Sequence, residues 1–151
     1  MKCFLSFCII TLLLSSCTFY EPEYRGGESF QFGELNGRDV KFNAGAKVYN
    51  ENGFAIKIKP STLDLYIEGE YMGKVHLDEK FKMKGNCETT IDAPFTATLE
   101  KGALFRAMKF ANKEEVQVRL SGKVKAGVWI FGKKIDVNET RTISGSNLKF
   151  L

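Results

Sequence analysis

Few side chains in this sequence could carry covalent or acid–base chemistry. There is a single histidine, His76, and four cysteines, Cys3, Cys8, Cys17 and Cys87. Nucleophilic machinery of the Ser-His-Asp or Cys-His type needs a histidine base. His76 lies between Val75 and Leu77 in an alternating run that puts it on the wet face of a strand, where a bare surface residue is expected. Zinc needs several Cys or His ligands close together, which one of each at distant positions does not supply, so no metal and no diffusible cofactor are expected. The 18 Asp and Glu residues are plentiful, but glycosidase-type chemistry needs a carboxyl raised in pKa by burial, and the pattern gives no sign of one. Neither Gly26-Gly27 nor the stretch from Gly122 to Gly127 has the Gly, Lys and Ser/Thr spacing of a phosphate-cradling loop. No enzyme is expected.

Cys17 is the residue with a chemical role. Met1-Lys2 gives a positive start, Phe4 to Leu14 is almost wholly apolar, and Leu14-Ser15-Ser16-Cys17 follows at once. The apolar stretch is about half of the roughly 20 residues that span a bilayer, so residues 1–16 read as a signal peptide cleaved between Ser16 and Cys17. Leu-Ser-Ser-Cys resembles the bacterial lipobox, in which small residues fit the peptidase cleft and the thiol accepts lipid. A covalent N-terminal lipid of palmitate type on Cys17 would hold the protein to a membrane, each buried methylene contributing about 0.8 kcal/mol. Thr18, not aspartate, follows the cysteine, which favours the outer over the inner membrane of a bacterial cell envelope.

With Cys3 and Cys8 in the signal and Cys17 lipidated, only Cys87 remains, so no internal disulfide is expected. Cys87 opens an alternating run and is read as a small inward-facing hydrophobe, with a reactive thiol as the alternative. Glu21, Pro22, Glu23, Gly26 and Gly27 make residues 17–28 polar and turn-rich, a tether ahead of one domain at 29–151. Of 151 residues, 44% are hydrophobic and 13% aromatic, enough apolar surface for one packed core. Net charge is only +4, with Lys and Arg scattered singly, which reads as a solvated face. Aromatic and basic residues alternate at Trp129, Phe131, Lys133 and Lys134, but an envelope address argues against nucleic acid.

The elements that must carry these residues have a period of two. Val40, Phe42, Ala44, Ala46 and Val48 alternate with Asp39, Lys41, Asn43, Lys47 and Tyr49. Further alternating runs cover Ile56 to Ile58, Leu63 to Ile67, Lys74 to Leu77, Cys87 to Leu99 and Val116 to Leu120, with Gly69 to Gly73 as a hairpin turn. Val128 to Phe131 and Ile135 to Val137 are expected to flank a turn at Gly132-Lys133-Lys134, and a terminal strand to run through Ile143. Between Gly102 and Asn112, Leu104, Met108 and Ala111 fall at helical spacing. The expected fold is all-β, an immunoglobulin- or fibronectin-III-like antiparallel sandwich of about seven to eight strands with one short helix near 102–112.

Val48-Tyr49-Asn50-Glu51-Asn52-Gly53-Phe54, then Ile56 to Ile67, then Glu70-Tyr71-Met72-Gly73-Lys74-Val75, resembles the type-2 late-embryogenesis-abundant family, also called the water-stress and hypersensitive-response domain. The likeness covers about residues 32–124, with Glu51 where proline is usual. Asn50 and Asn52 suit a turn because their side chains bond nearby backbone. The resemblance implies a folded sandwich, bacterial lipoprotein members, an association with desiccation or envelope stress, and no catalytic residues. The function expected is therefore a non-catalytic, membrane-anchored envelope lipoprotein with a structural, stress-protective or binding role. Two alternatives stand beside it: docking an envelope protein by strand addition, with Trp129 and Phe131 as candidate contacts, and carrying a small ligand in an internal apolar cavity.

Overall fold

Alternation at period two becomes extended strand along most of the chain. The computed structural model describes residues 19–128 and 131–150. Its elements are β1 (Glu23–Tyr24), β2 (Ser29–Asn36), β3 (Asp39–Asn50), β4 (Ile56–Lys59), β5 (Thr62–Ile67), β6 (Glu70–Leu77), β7 (Phe81–Met83), β8 (Cys87–Leu99), helix α1 (Ala103–Phe110), β9 (Glu115–Val128), β10 (Phe131–Ser144) and a 3-10 turn at Gly145–Phe150. The class is all-β with one short helix, as expected. The strand count is higher, ten among the described residues, because β1, β2 and β7 are short or exposed strands whose sequence lacks clean alternation.

All pairings are antiparallel and the ten strands form one hydrogen-bonded sheet, in the order β1, β3, β8, β6, β5, β9, β4, β7, with β2 also on β3 and β10 also on β9. The sheet folds over so that inward rows from distant strands meet, burying the single apolar face that an open sheet would expose. Two clusters result. One gathers Val40, Ile67, Met72, Val75, Leu99 and Val116 under α1. The other gathers Ile56, Ile58, Leu77, Met83, Ala93 and Ala126 at the opposite end.

Three local readings change. The β5–β6 turn is not Gly69 to Gly73 but the two residues Glu68 and Gly69, at φ 51° and 81°, with Ile67 paired to Glu70. A two-residue hairpin loop of this handedness matches strand twist, so Tyr71 and Met72 are strand, and Met72 is fully buried. Leu65 pairs with Gly73 and Tyr66 with Tyr71, a bulge at Met72. Gly73 takes φ 143°, and a Cβ there would run into the Thr98 carbonyl oxygen; the position belongs to glycine. Gly132-Lys133-Lys134 is likewise strand, inside a ladder running unbroken from Phe131↔Val128 to Ser144↔Glu115. In α1 the buried stripe is Ala103 and Ala107, continued by Ala111, while Met108 is 55% exposed. Alanine lets the helix lie close over the sheet, which a longer side chain would prevent.

Candidate functional site

The upper half of the folded-over sheet is not filled. β2, β3, β8, β6, β5, β9 and β10, roofed by α1, border a half-open cavity of about 690 Å³ whose lining is mostly apolar. Phe32 and Phe42 in its lining have ring centroids 6.3 Å apart, and Phe42 stacks in turn on Phe95 of β8 at 5.4 Å. The space exists because three lining positions are alanine, Ala97 on β8 and Ala103 and Ala107 on α1, all buried. A branched residue at any of them would close part of it. Protein interiors are ordinarily packed to crystal-like density, and binding pockets occupy about 300–1,000 Å³, so a void of this size and lining has the character of a ligand site.

The mouth lies along the seam between the sheet's two edges. From one side comes β2, exposed at every residue, with Phe30 and Phe32 in the lining; from the other comes β10. On β10, Glu139 lies opposite Leu120 and Arg141 opposite Val118, and both charged residues reach the lining. The cavity is thus apolar within and carries one acid and one base at its rim. Arg141 also spans the seam: its guanidinium carbon lies 4.8 Å from the centre of the Tyr24 ring on β1. Further along, the Lys133 ammonium stands 4.6 Å from the Phe19 ring centre. Tyr24 bonds Glu28, which together with partial desolvation and the nearby Glu28 charge raises its pKa against the opposing pull of Arg141.

Polar chemistry fixes the N-terminal segment that edges the seam. Asn50 and Asn52 are buried. The Asn50 amide donates to the Phe54 carbonyl at 2.8 Å and the Lys84 carbonyl at 3.1 Å, and its oxygen accepts from the Asn52 side-chain amide at 2.8 Å and backbone N–H at 3.1 Å. Asn52 in turn holds Tyr20 by both backbone groups, accepting from its N–H at 2.9 Å and donating to its carbonyl at 2.7 Å. Residues 20–26 then follow β3, with Arg25 N–H on the Lys47 carbonyl and Lys47 N–H on the Gly26 carbonyl. Sequence alone placed the asparagines in a turn; their clamp on Tyr20 depends on a contact 32 residues away.

The residues singled out for chemistry are dispersed. His76 stands exposed on β6, its Nδ1 2.9 Å from the Thr62 hydroxyl across the ladder. Cys87 is a free, half-buried thiol on the inward row of β8. No group of three His, Cys, Asp or Glu suited to a metal occurs among the described residues. A polar crevice holds Glu68 and Glu115, but Glu68 is bonded by the Lys113 ammonium at 2.6 Å and the Gln117 N–H at 2.8 Å. Lys113 first, and then the Gln117 amide, hold its pKa below the usual carboxylate value, opposite to what a general acid needs. Ser16, Cys17 and Trp129 lie outside the described residues; Phe131 begins β10.

Residues 46–141 match the family model for late embryogenesis abundant protein, LEA_2. The comparison with curated proteins returns no match in sequence. Among solved structures, a crystal structure of a protein from Archaeoglobus fulgidus is similar at 15% identity and a TM-score of 0.55, over 81% of this chain and 97% of that one. A solution structure of a protein from Arabidopsis thaliana is similar at 13% identity and a TM-score of 0.51, over 87% and 88%. These likenesses support the fold.

Proposed function

Because this chain belongs to the late embryogenesis abundant (LEA_2) family, whose members are generally non-enzymatic, we propose that it is a non-catalytic envelope lipoprotein that shelters one acyl chain of an amphiphile. The observation that carries the binding role is the cavity of about 690 Å³ with apolar walls and a charged rim. A fatty acid or single-chain lipid matches both parts, its tail inside and its head at Arg141. Each buried methylene contributes about 0.8 kcal/mol, so about twelve give about 10 kcal/mol, from which immobilisation must be subtracted. Affinities around the micromolar range follow. The anchor rests on the lipobox at Cys17; with Tyr20 clamped by Asn52, only Thr18 and Phe19 separate the two, so an acylated Cys17 would hold the domain against the bilayer.

The test is a titration of the purified chain with a fluorescent polyene fatty acid, competed by saturated acids of increasing length. Affinity is expected to rise by about fivefold or less per added methylene until the cavity is full. Arg141→Gln is expected to weaken a fatty acid about tenfold, the loss of one charge-assisted contact, and to leave the corresponding alkanol unchanged. Affinity independent of chain length would refute the cavity as the site. Metabolic labelling with a clickable fatty acid tests the anchor separately: label in the natural chain and none in Cys17→Ala is expected, and equal labelling of both would remove it.

A further inference from the structure

We infer that the outer face of β7, β4, β9 and β10 docks onto an anionic phospholipid surface. The basic residues are scattered in sequence, but the register assembles them. Lys57 lies directly opposite Lys82, Lys59 opposite Lys125, and Lys125 opposite Lys134. Residues directly opposed across a ladder share a face, as do those two apart on one strand, so these five lysines project together. All five are exposed. The intervening residues Ile56, Ile58, Met83 and Ala126 point the other way into the core, which fixes the lysine side outward.

Lys123 and Asp136 complete the face and are bound to each other at 2.5 Å, so that acid is already matched. None of the five lysines takes part in the ion pairs of the described residues. Like charges directly opposite each other destabilise a sheet, and here three such contacts run across four strands with none of the five lysines ion-paired. A surface that offers anions relieves that repulsion. Four strands about 4.8 Å apart spread the charge over a plane about 14 Å wide, which suits a flat array of headgroups. Lys133, next to Lys134 on β10 but opposite buried Ala126 and so on the strand's other side, holds its ammonium 4.6 Å from the Phe19 ring centre, so the N-terminal segment enters the domain beside the same strand. Each lysine at an anionic surface contributes roughly 1 kcal/mol, or about fivefold in partition, and the effect fades within a Debye length of about 10 Å at moderate salt.

The purified chain is mixed with vesicles of phosphatidylcholine alone or with added phosphatidylglycerol, and its lysines are acetylated briefly and quantified by mass spectrometry. Lys57, Lys59, Lys82, Lys125 and Lys134 are expected to react at least fivefold more slowly with phosphatidylglycerol present, and to recover at high salt. Lys101 and Lys109, beside and within the helix at the opposite end, should be unaffected. The triple variant Lys59→Gln, Lys82→Gln and Lys134→Gln should lose protection at the two remaining lysines while keeping its fatty-acid affinity, which separates this face from the cavity. Equal rates in the two vesicle types would overturn the inference. So would protection by a soluble polyanion such as heparin with none by phosphatidylglycerol, which would assign the face to an acidic macromolecule.

Discussion

Ala97→Phe is expected to raise the unfolding midpoint and, at the same time, to lower affinity for a long-chain fatty acid by about a hundredfold. Ala97 is 6% exposed on β8 and lines the cavity. A ring placed there fills space that the fold leaves open, so the usual penalty for enlarging a core residue gives way to a gain in buried apolar area of about 1.5–3 kcal/mol. The same ring displaces the methylenes of a ligand, and about 3 kcal/mol of lost burial is about a hundredfold in affinity. The opposed signs are the informative feature. A core position with no ligand role would change stability alone, whereas a site kept open for binding trades stability for function. Thermal unfolding and the fluorescence titration, run on one preparation, read both. A lowered midpoint with unchanged affinity would show that position 97 is ordinary core.

Asn50→Ala is expected to cost about 4 kcal/mol, the largest loss from any single polar side chain described here. The substitution removes the amide from the Phe54 and Lys84 carbonyls and the oxygen from both Asn52 donors. Each buried group left without a partner costs about 1–3 kcal/mol. A domain of this size has only about 5–15 kcal/mol in total, so urea unfolding should shift to much lower concentration. Asn52→Ala acts further out. It releases Tyr20 from both of its bonds, so amide exchange should speed up over residues 20–26 with a smaller change in the global midpoint. An unchanged urea midpoint for Asn50→Ala would show that the network is not what holds the loop.

Much of the fold was legible because burial imposes a period of two. The row Val40, Phe42, Ala44, Ala46 and Val48 is inward on β3 as its alternation requires, and α1 lies within the stretch that departs from that period. What misled was local: glycines at 73 and 132 suggested turns, as Gly69 did correctly, but Gly73 serves a close backbone approach and Gly132 lies inside a ladder. The cavity was harder to see, since alanine at 97, 103 and 107 reads as an ordinary apolar residue until the strands opposite are known. Glu139 and Arg141 gave a clue, two charges in succession on the inward row of β10, but the inward parity comes only from the pairing with Leu120 and Val118. The lysine face was illegible for the same reason. Lys57, Lys82, Lys125 and Lys134 are far apart in the chain, and register alone makes them neighbours.

The most direct measurement is photo-crosslinking of the purified chain with a diazirine fatty acid, mapped by peptide mass spectrometry. Adducts on cavity residues such as Met72, Val118 and Leu120, competed by unlabelled fatty acid and lost in Ala97→Phe, are the expected result. Adducts confined to Phe105 and Met108, the exposed apolar pair on α1 at 75% and 55%, with no competition, would contradict a lipid-binding cavity.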